Sequence, residues 1–524
     1  MTIRQKWCAW GALAAMLAGP VSTWAQDQNT AQSRAQNPGQ DTPQTPAQST
    51  SQTDAAPNRI TAAQARELFA SVDTILQFAS DDSKLAIRHK VKRRLTTRDA
   101  VEKYLVDKMK DDKDAKRMQR SEIVLKKFGL LDRDFVLQPF LVSLLKEQIA
   151  GYYDSKTKTV NLLDWIAPDA QKPVLAHELT HALQDQRVGL DKWEDTTSED
   201  LARNVKEDNQ HIATDEQDTA REAVLEGQAM AVLVDYSLKP AGQSILSNPA
   251  AIKQRADEQS ADSDSPVMQR APLVLQESML FPYRDGLKFE VDVLKDQGVD
   301  AAFAGALDRP PATSFEIMNP RAYESRAKLP LLAMPDIHGL IDADYDPYDV
   351  GVMGQLDVRM MAELFGGPQV AAALTPAWDG GIYYVAQKKS APDKSLSGSV
   401  SLLYLSQWRS PAAAAVFAKM YADELGNKYS GVKRDTRAEA DQGEQIYQTS
   451  EGPVLLATKG NLVFVSESFD LALARKLEFS LTGAQAASRS SESVALNAPA
   501  QDLTGSLTSF FARCGIMRSA LHLY

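Results

Sequence analysis

At 524 residues with 44% hydrophobic side chains, the chain is long enough for more than one packed core, and its apolar content is that of an ordinary globular protein. The net charge of −11 disfavours a general nucleic-acid or anionic-membrane binder, which needs clustered Lys and Arg. There are 2 cysteines, Cys8 and Cys514, so a form that has lost its first residues keeps one thiol and must be stabilised by its core rather than by internal disulfides.

The first residues are patterned as an export signal. Arg4 and Lys6 give a positive start, an apolar run extends from Trp7 to Val21, and Thr23-Trp24-Ala25 is a small-x-small cleavage site before Gln26. Gly11, Gly19 and Pro20 interrupt the run and leave it short for a membrane span. After signal cleavage at residue 25 the chain is therefore expected in the periplasm or outside the cell, with no stable membrane span. Residues 26–57, rich in Gln, Ser, Thr and Pro, have too few large apolar side chains to fold and are expected as a disordered linker.

From Thr61 to about Ile149 the pattern is helical. Leu68, Phe69, Val72, Ile75, Leu76 and Phe78 recur at helical spacing, as do Val101, Tyr104, Leu105 and Met109. The mixed charges of residues 108–120 suit a solvated helix face. Tyr152, Tyr153, Val160 and Leu162 flank a polar turn, so residues 151–163 are expected as a hairpin. Helical patterning returns over 173–186 and 218–238, residues 240–270 are expected as a loop, and prolines punctuate an irregular stretch from Pro310 to about Tyr348. Farther on, strands are expected at 381–387, 399–405, 445–450 and 454–467 (the last turning at Lys459-Gly460-Asn461), with a helix over 411–425. No internal repeat is evident. The expected fold is α+β: a mainly helical domain over 58–348 with a small hairpin sheet, a smaller α+β domain over 349–485, and a poorly ordered tail over 486–524.

The informative motif is His177-Glu178-Leu179-Thr180-His181. One helical turn separates the histidines, so both rings project toward a single point. Leu175, Leu179, Ala182 and Leu183 form a stripe available for core packing. Glu178 is rotated by about 100° from His177 and can reach water at a metal without ligating it. Neutral imidazoles suit Zn2+, and a carboxylate beside an activated water is a general base. With 6 histidines in the chain, this spacing seldom arises by chance. For the third ligand, Glu226 within Glu222-Ala-Val-Leu-Glu-Gly-Gln-Ala229 fits best, with Gly227 permitting close helix approach. Glu222 shares its face, and His211 is a rival whose acidic, turn-like setting suits an exposed histidine. His89, His338 and His522 stand singly and suit structural or surface roles.

At His177-Glu-Leu-Thr-His-Ala-Leu-Gln-Asp-Gln186 the chain resembles the gluzincins, thermolysin-like zinc peptidases with a downstream glutamate ligand. It is similar to a poorly characterised group of exported bacterial and archaeal predicted metallopeptidases, through Gly151-Tyr-Tyr-Asp154, Glu226-Gly-Gln-Ala229, Phe281-Pro-Tyr-Arg-Asp-Gly286, Pro310-Pro-Ala-Thr-Ser-Phe-Glu316 and Asn319-Pro-Arg-Ala-Tyr323. The similarity covers roughly residues 60–330, with Trp378-Asp-Gly-Gly381 as an outlying match. The resemblance implies that Glu226 completes a zinc site with His177 and His181, that the 151–163 hairpin offers an edge strand to extended substrate, and that Tyr283 donates to a tetrahedral oxyanion. Asn319 stands where the group's pattern carries a histidine. The interval from His181 to Glu226 (226 − 181 = 45) exceeds that of thermolysin-like enzymes and requires an insertion between the two helices. The expected function is a zinc-dependent peptidase acting on a peptide or protein substrate. The alternative is a non-catalytic zincin-fold scaffold of the envelope, although a site without turnover tends to lose its Glu or a His first.

Overall fold

A computed structural model of the protein describes residues 59–108, 112–148, 151–193, 203–261, 265–440 and 442–488. The export signal, the 26–57 linker and, beyond residue 488, the expected tail lie outside the described residues.

The helical part begins with α1 (Ala62–Ser83). The Thr61 hydroxyl accepts from Gln64 N–H while the Gln64 side chain accepts from Thr61 N–H, a capping box that starts the helix. Its buried stripe of Leu68, Val72, Ile75, Leu76 and Ala79 follows the expected spacing. β1 (Lys92–Thr96), α2 (Arg98–Lys108), α3 (Asp112–Phe128) and α4 (Leu137–Gln148) follow. The hairpin is present as β2 (Tyr152–Asp154) and β3 (Thr159–Leu163), with the Asp154 carboxylate accepting from Lys156 N–H and Thr157 N–H in the turn. β1 pairs parallel to β3, so the order is β1-β3-β2 and β2 is an edge strand.

Next come α5 (Pro168–Val188), α6 (Val205–Thr214), α7 (Gln217–Leu238), α8 (Pro249–Ala261) and α9 (Leu273–Gln297). α5 packs between α1 and α7, and α9 packs along α7. Four elements differ from the sequence expectation, the first being β1, a strand within the 61–149 stretch expected as helical, held there by its parallel pairing with β3. α8 occupies part of the polar 240–270 stretch, because Ile252 and Ala256, one turn apart, are buried against the core. α9 runs through Pro282 and Gly286, where local rules break a helix, since its packing against α7 outweighs them. β4 (Tyr345–Val352) emerges from the proline-rich stretch and crosses residue 348, with Pro347 at an irregularity of register on an edge strand.

β4 opens a seven-stranded sheet completed by β5 (Trp378–Lys388), β6 (Val400–Trp408), β7 (Lys433–Arg434), β8 (Glu444–Thr449), β9 (Gly452–Lys459) and β10 (Leu462–Glu467), in the order β4-β5-β6-β10-β9-β8-β7. Period-two alternation splits its side chains between two cores. Tyr383, Val385, Leu402, Tyr404, Val463 and Val465 join the main core, which extends back to Leu68. Ile382, Tyr384, Leu403, Leu405 and Phe464 join a second core under the other face. α10 (Gln355–Gly366) and α11 (Pro411–Lys428) contribute to the former and α12 (Leu471–Ser488) to the latter. β4-β5-β6 and β8-β9-β10 are each antiparallel runs of three strands, and they meet antiparallel at β6 and β10. At that seam Leu403 faces Ser466 and Ser406 faces Val463. Among the described residues no helix is long and apolar enough to cross a membrane.

Candidate metal centre

α5 carries the motif at its middle, where the helix is enclosed on all sides. Leu175, Ala176, Leu179, Ala182 and Leu183 are fully buried, and so in effect are His177, Glu178 and His181 on the remaining arc. Burying three ionisable side chains costs free energy unless they meet partners. They do. His177 Nε2 and His181 Nε2 lie 3.1 Å apart, and Glu226 Oε2 lies 3.0 Å from the first and 3.4 Å from the second. Among the described residues this is the one group of three His, Cys, Asp or Glu side chains whose ligating atoms cluster, all within 4.8 Å. Three lone-pair-bearing atoms converging in a dry interior repel unless a proton or cation sits among them. Bonds of about 2.0–2.1 Å in a tetrahedron put ligand atoms about 3.3–3.4 Å apart, close to the edges seen here. The donor set fits a divalent metal.

Glu226 reaches the histidines because α7 and α9 cross with backbones in contact. A Cβ at Gly227 would lie 2.3 Å from Gly286 O, and one at Gly286 would lie 2.2 Å from Ala223 O. Only glycines permit this approach. The crossing also brings Tyr283 of α9 to the site, where its ring stacks near His177 at 6.3 Å between centroids. Tyr283 lies inside α9. Burial, followed by the carboxylates of Glu226, Glu222 and Glu178, pushes its hydroxyl pKa well above the ordinary value, so it stays a protonated donor. For Glu226, burial acts upward, but the imidazoles of His181 and His177 outweigh it and hold the carboxyl below the usual range. Glu222 lies one turn earlier, outside the cluster. Burial and the charges of Glu226 and Asp218 push its pKa well up, leaving it a neutral acid.

Glu178 Oε2 accepts from Tyr153 N–H of edge strand β2 at 2.8 Å, which fixes the carboxylate beside the metal-ligating face. The motif's tail braces this arrangement. Asp185 accepts from the Tyr153 hydroxyl at 2.7 Å, from Lys158 Nζ at 2.7 Å and from Leu190 N–H at 3.1 Å. Gln186 Oε1 accepts from the backbone N–H groups of Arg88 and His89. These bracing roles were missed in the sequence.

His211 departs from expectation. It is fully buried on α6, a helix capped by Asn204, and faces Asp215 at 3.5 Å, away from the metal cluster. The acidic neighbours that suggested exposure are themselves interior: Asp208 pairs with His338 at 3.0 Å, and Asp215 accepts from Val352 N–H at 2.6 Å. His338 is thus structural and His89 is exposed. Asn319 donates to Phe315 O and Gln355 Oε1, a packing role. α6 lies in the interval between α5 and α7 where an insertion was expected. No family model, no curated protein and no solved structure matches the chain.

Proposed function

We propose that the chain is a zinc-dependent peptidase that hydrolyses peptide bonds, with His177, His181 and Glu226 as ligands and Glu178 as general base. The observation that carries the reading is the convergence of the three ligand atoms, together with a second buried carboxylate, Glu178, between the two histidines on the same helix and held by Tyr153 N–H. Two imidazoles and a carboxylate suit zinc. The same donor set also suits ferrous iron, but a general base held by a backbone amide is what hydrolysis needs.

Zinc bound there supplies a Lewis acid that acidifies water and polarises a carbonyl. Glu178 takes the proton from the attacking water and passes it to the leaving amine. The Tyr153 amide keeps that carboxylate aimed, and the Tyr283 hydroxyl donates to the oxyanion as the carbonyl carbon becomes tetrahedral. Strand β2 is the edge beside which an extended peptide would lie, with its Tyr153 N–H already taken by Glu178 Oε2. The export pattern of residues 1–25 supports action in the periplasm or outside the cell on peptide or protein substrates, and the acidic net charge speaks against nucleic-acid partners.

The test is Glu178→Gln. Peptide hydrolysis should vanish while stoichiometric zinc stays bound. Full hydrolysis by this variant defeats the proposal, as does the absence of wild-type hydrolysis across a broad peptide library.

A further inference from the structure

A histidine that offers one ring nitrogen to a metal must carry its proton on the other. His181 Nδ1 lies 2.8 Å from Gln184 Oε1. Gln184, fully buried on the same helix, points its Nε2 at Leu225 O, 3.0 Å away, and at Gln228 Oε1, 2.9 Å away. Gln228, fully buried on α7, points its own Nε2 at Ala302 O and Phe303 O, at 2.8 and 3.0 Å. Both carbonyls belong to a π-helical turn, Ala301–Gly305, that follows α9.

Backbone carbonyls only accept, and this fixes every hydrogen bond in the chain. Gln228 must present its NH2 to the π-helical turn and its oxygen to Gln184. Gln184 must then donate to that oxygen and to Leu225 O, which leaves Oε1 for His181. His181 must therefore donate from Nδ1, and its Nε2 faces His177 and Glu226 with a lone pair. Because Leu225 precedes Glu226, Gln184 also ties together the two helices that bear the ligands.

We propose that Gln184 and Gln228 are positioning residues that lock His181 in its Nδ1–H tautomer, with the π-helical turn at 301–305 setting the polarity of the relay. The consequence for zinc affinity rests on the metal-centre reading, whereas the tautomer can be read in metal-free protein. A π-helical turn at such a place fits the tendency of these turns to occur at functional sites.

The experiment uses the full chain labelled with 15N-histidine and freed of metal. Long-range 1H–15N correlation should show His181 as the Nδ1–H tautomer. In Gln184→Leu the tautomer should shift toward Nε2–H and zinc affinity should fall about 10–100-fold, the range for a lost partner of a metal-ligating histidine. Gln184→Glu keeps an acceptor for Nδ1–H and should hold the tautomer, while the loss of its donor to Leu225 O and Gln228 Oε1 should lower its melting temperature. Gln228→Met should weaken zinc binding in the same direction by a smaller factor, and it decides the matter if Gln184→Leu does not fold. The proposal is overturned if wild-type His181 carries its proton on Nε2, or if folded Gln184→Leu or Gln228→Met binds zinc as wild type does. A wild-type protein that shows the Nδ1–H tautomer yet binds no zinc would sink the metal reading and leave the relay standing.

Discussion

Replacing Gly227 with alanine puts a methyl carbon 2.3 Å from Gly286 O. Ordinary van der Waals contact is roughly 1 Å longer. The opposing atom is backbone, so no change of rotamer relieves the clash, and α7 and α9 must separate or bend. Overpacking of this kind costs about 1–3 kcal/mol, while the better helix propensity of alanine returns about 1 kcal/mol or less. Glu226 adjoins Gly227, and Tyr283 lies three residues before Gly286, so a separation of even a few tenths of an ångström moves both away from the histidines. Metal sites tolerate about 0.2 Å, and zinc affinity should fall at least about tenfold. Thermal melting and zinc titration of Gly227→Ala and Gly286→Ala read both effects. Gly426→Ala is the control: it lies exposed on α11 with open space around its Cβ position, and it should stabilise by up to about 1 kcal/mol. A Gly227→Ala protein with wild-type melting and zinc affinity would refute the crossing as the device that builds the site.

Tyr283→Phe should lower kcat about 100- to 1,000-fold with KM and bound zinc little changed, as measured in steady-state peptide hydrolysis. Glu226→Gln should lose zinc, whereas Glu222→Gln should keep it and melt no lower than wild type, because Glu222 is already neutral; equilibrium dialysis separates the two. Glu216 sits beside Ser314 and is pushed by burial from 4.5 to about 7. A raised carboxyl pKa means that its stabilising protonation is complete below 4.5 and lost as pH climbs through about 7. Glu216→Gln should therefore abolish a fall in stability on the order of 3 kcal/mol between about pH 5 and pH 8, followed by chemical denaturation. An unchanged pH profile would refute that assignment.

The histidine pair was legible because four-residue spacing and side-chain chemistry are both local. Glu226 was preferred to Glu222 on the strength of Gly227 and the Glu-Gly-x-Ala match, while Glu222 stayed open because both share a face of α7. The choice is made by the Gly227–Gly286 contact, which lies 59 positions apart in the chain (286 − 227 = 59). α9 was hidden for a related reason. Pro282 and Gly286 weaken a helix locally, yet Phe281, Leu287 and Phe289 are buried, and packing prevails. His211 looked exposed because Glu207, Asp208, Asp215 and Glu216 surround it in sequence, and nothing local tells that His338, Val352 and Ser314 supply three of those acids with partners.

X-ray diffraction collected at the zinc edge from crystals of the zinc-supplied protein addresses the metal centre directly. The anomalous map should show a peak about 2.0–2.2 Å from His177 Nε2, His181 Nε2 and a Glu226 carboxylate oxygen. No peak at that point, or one bound by Glu222 or His211 in place of Glu226, would contradict the assignment.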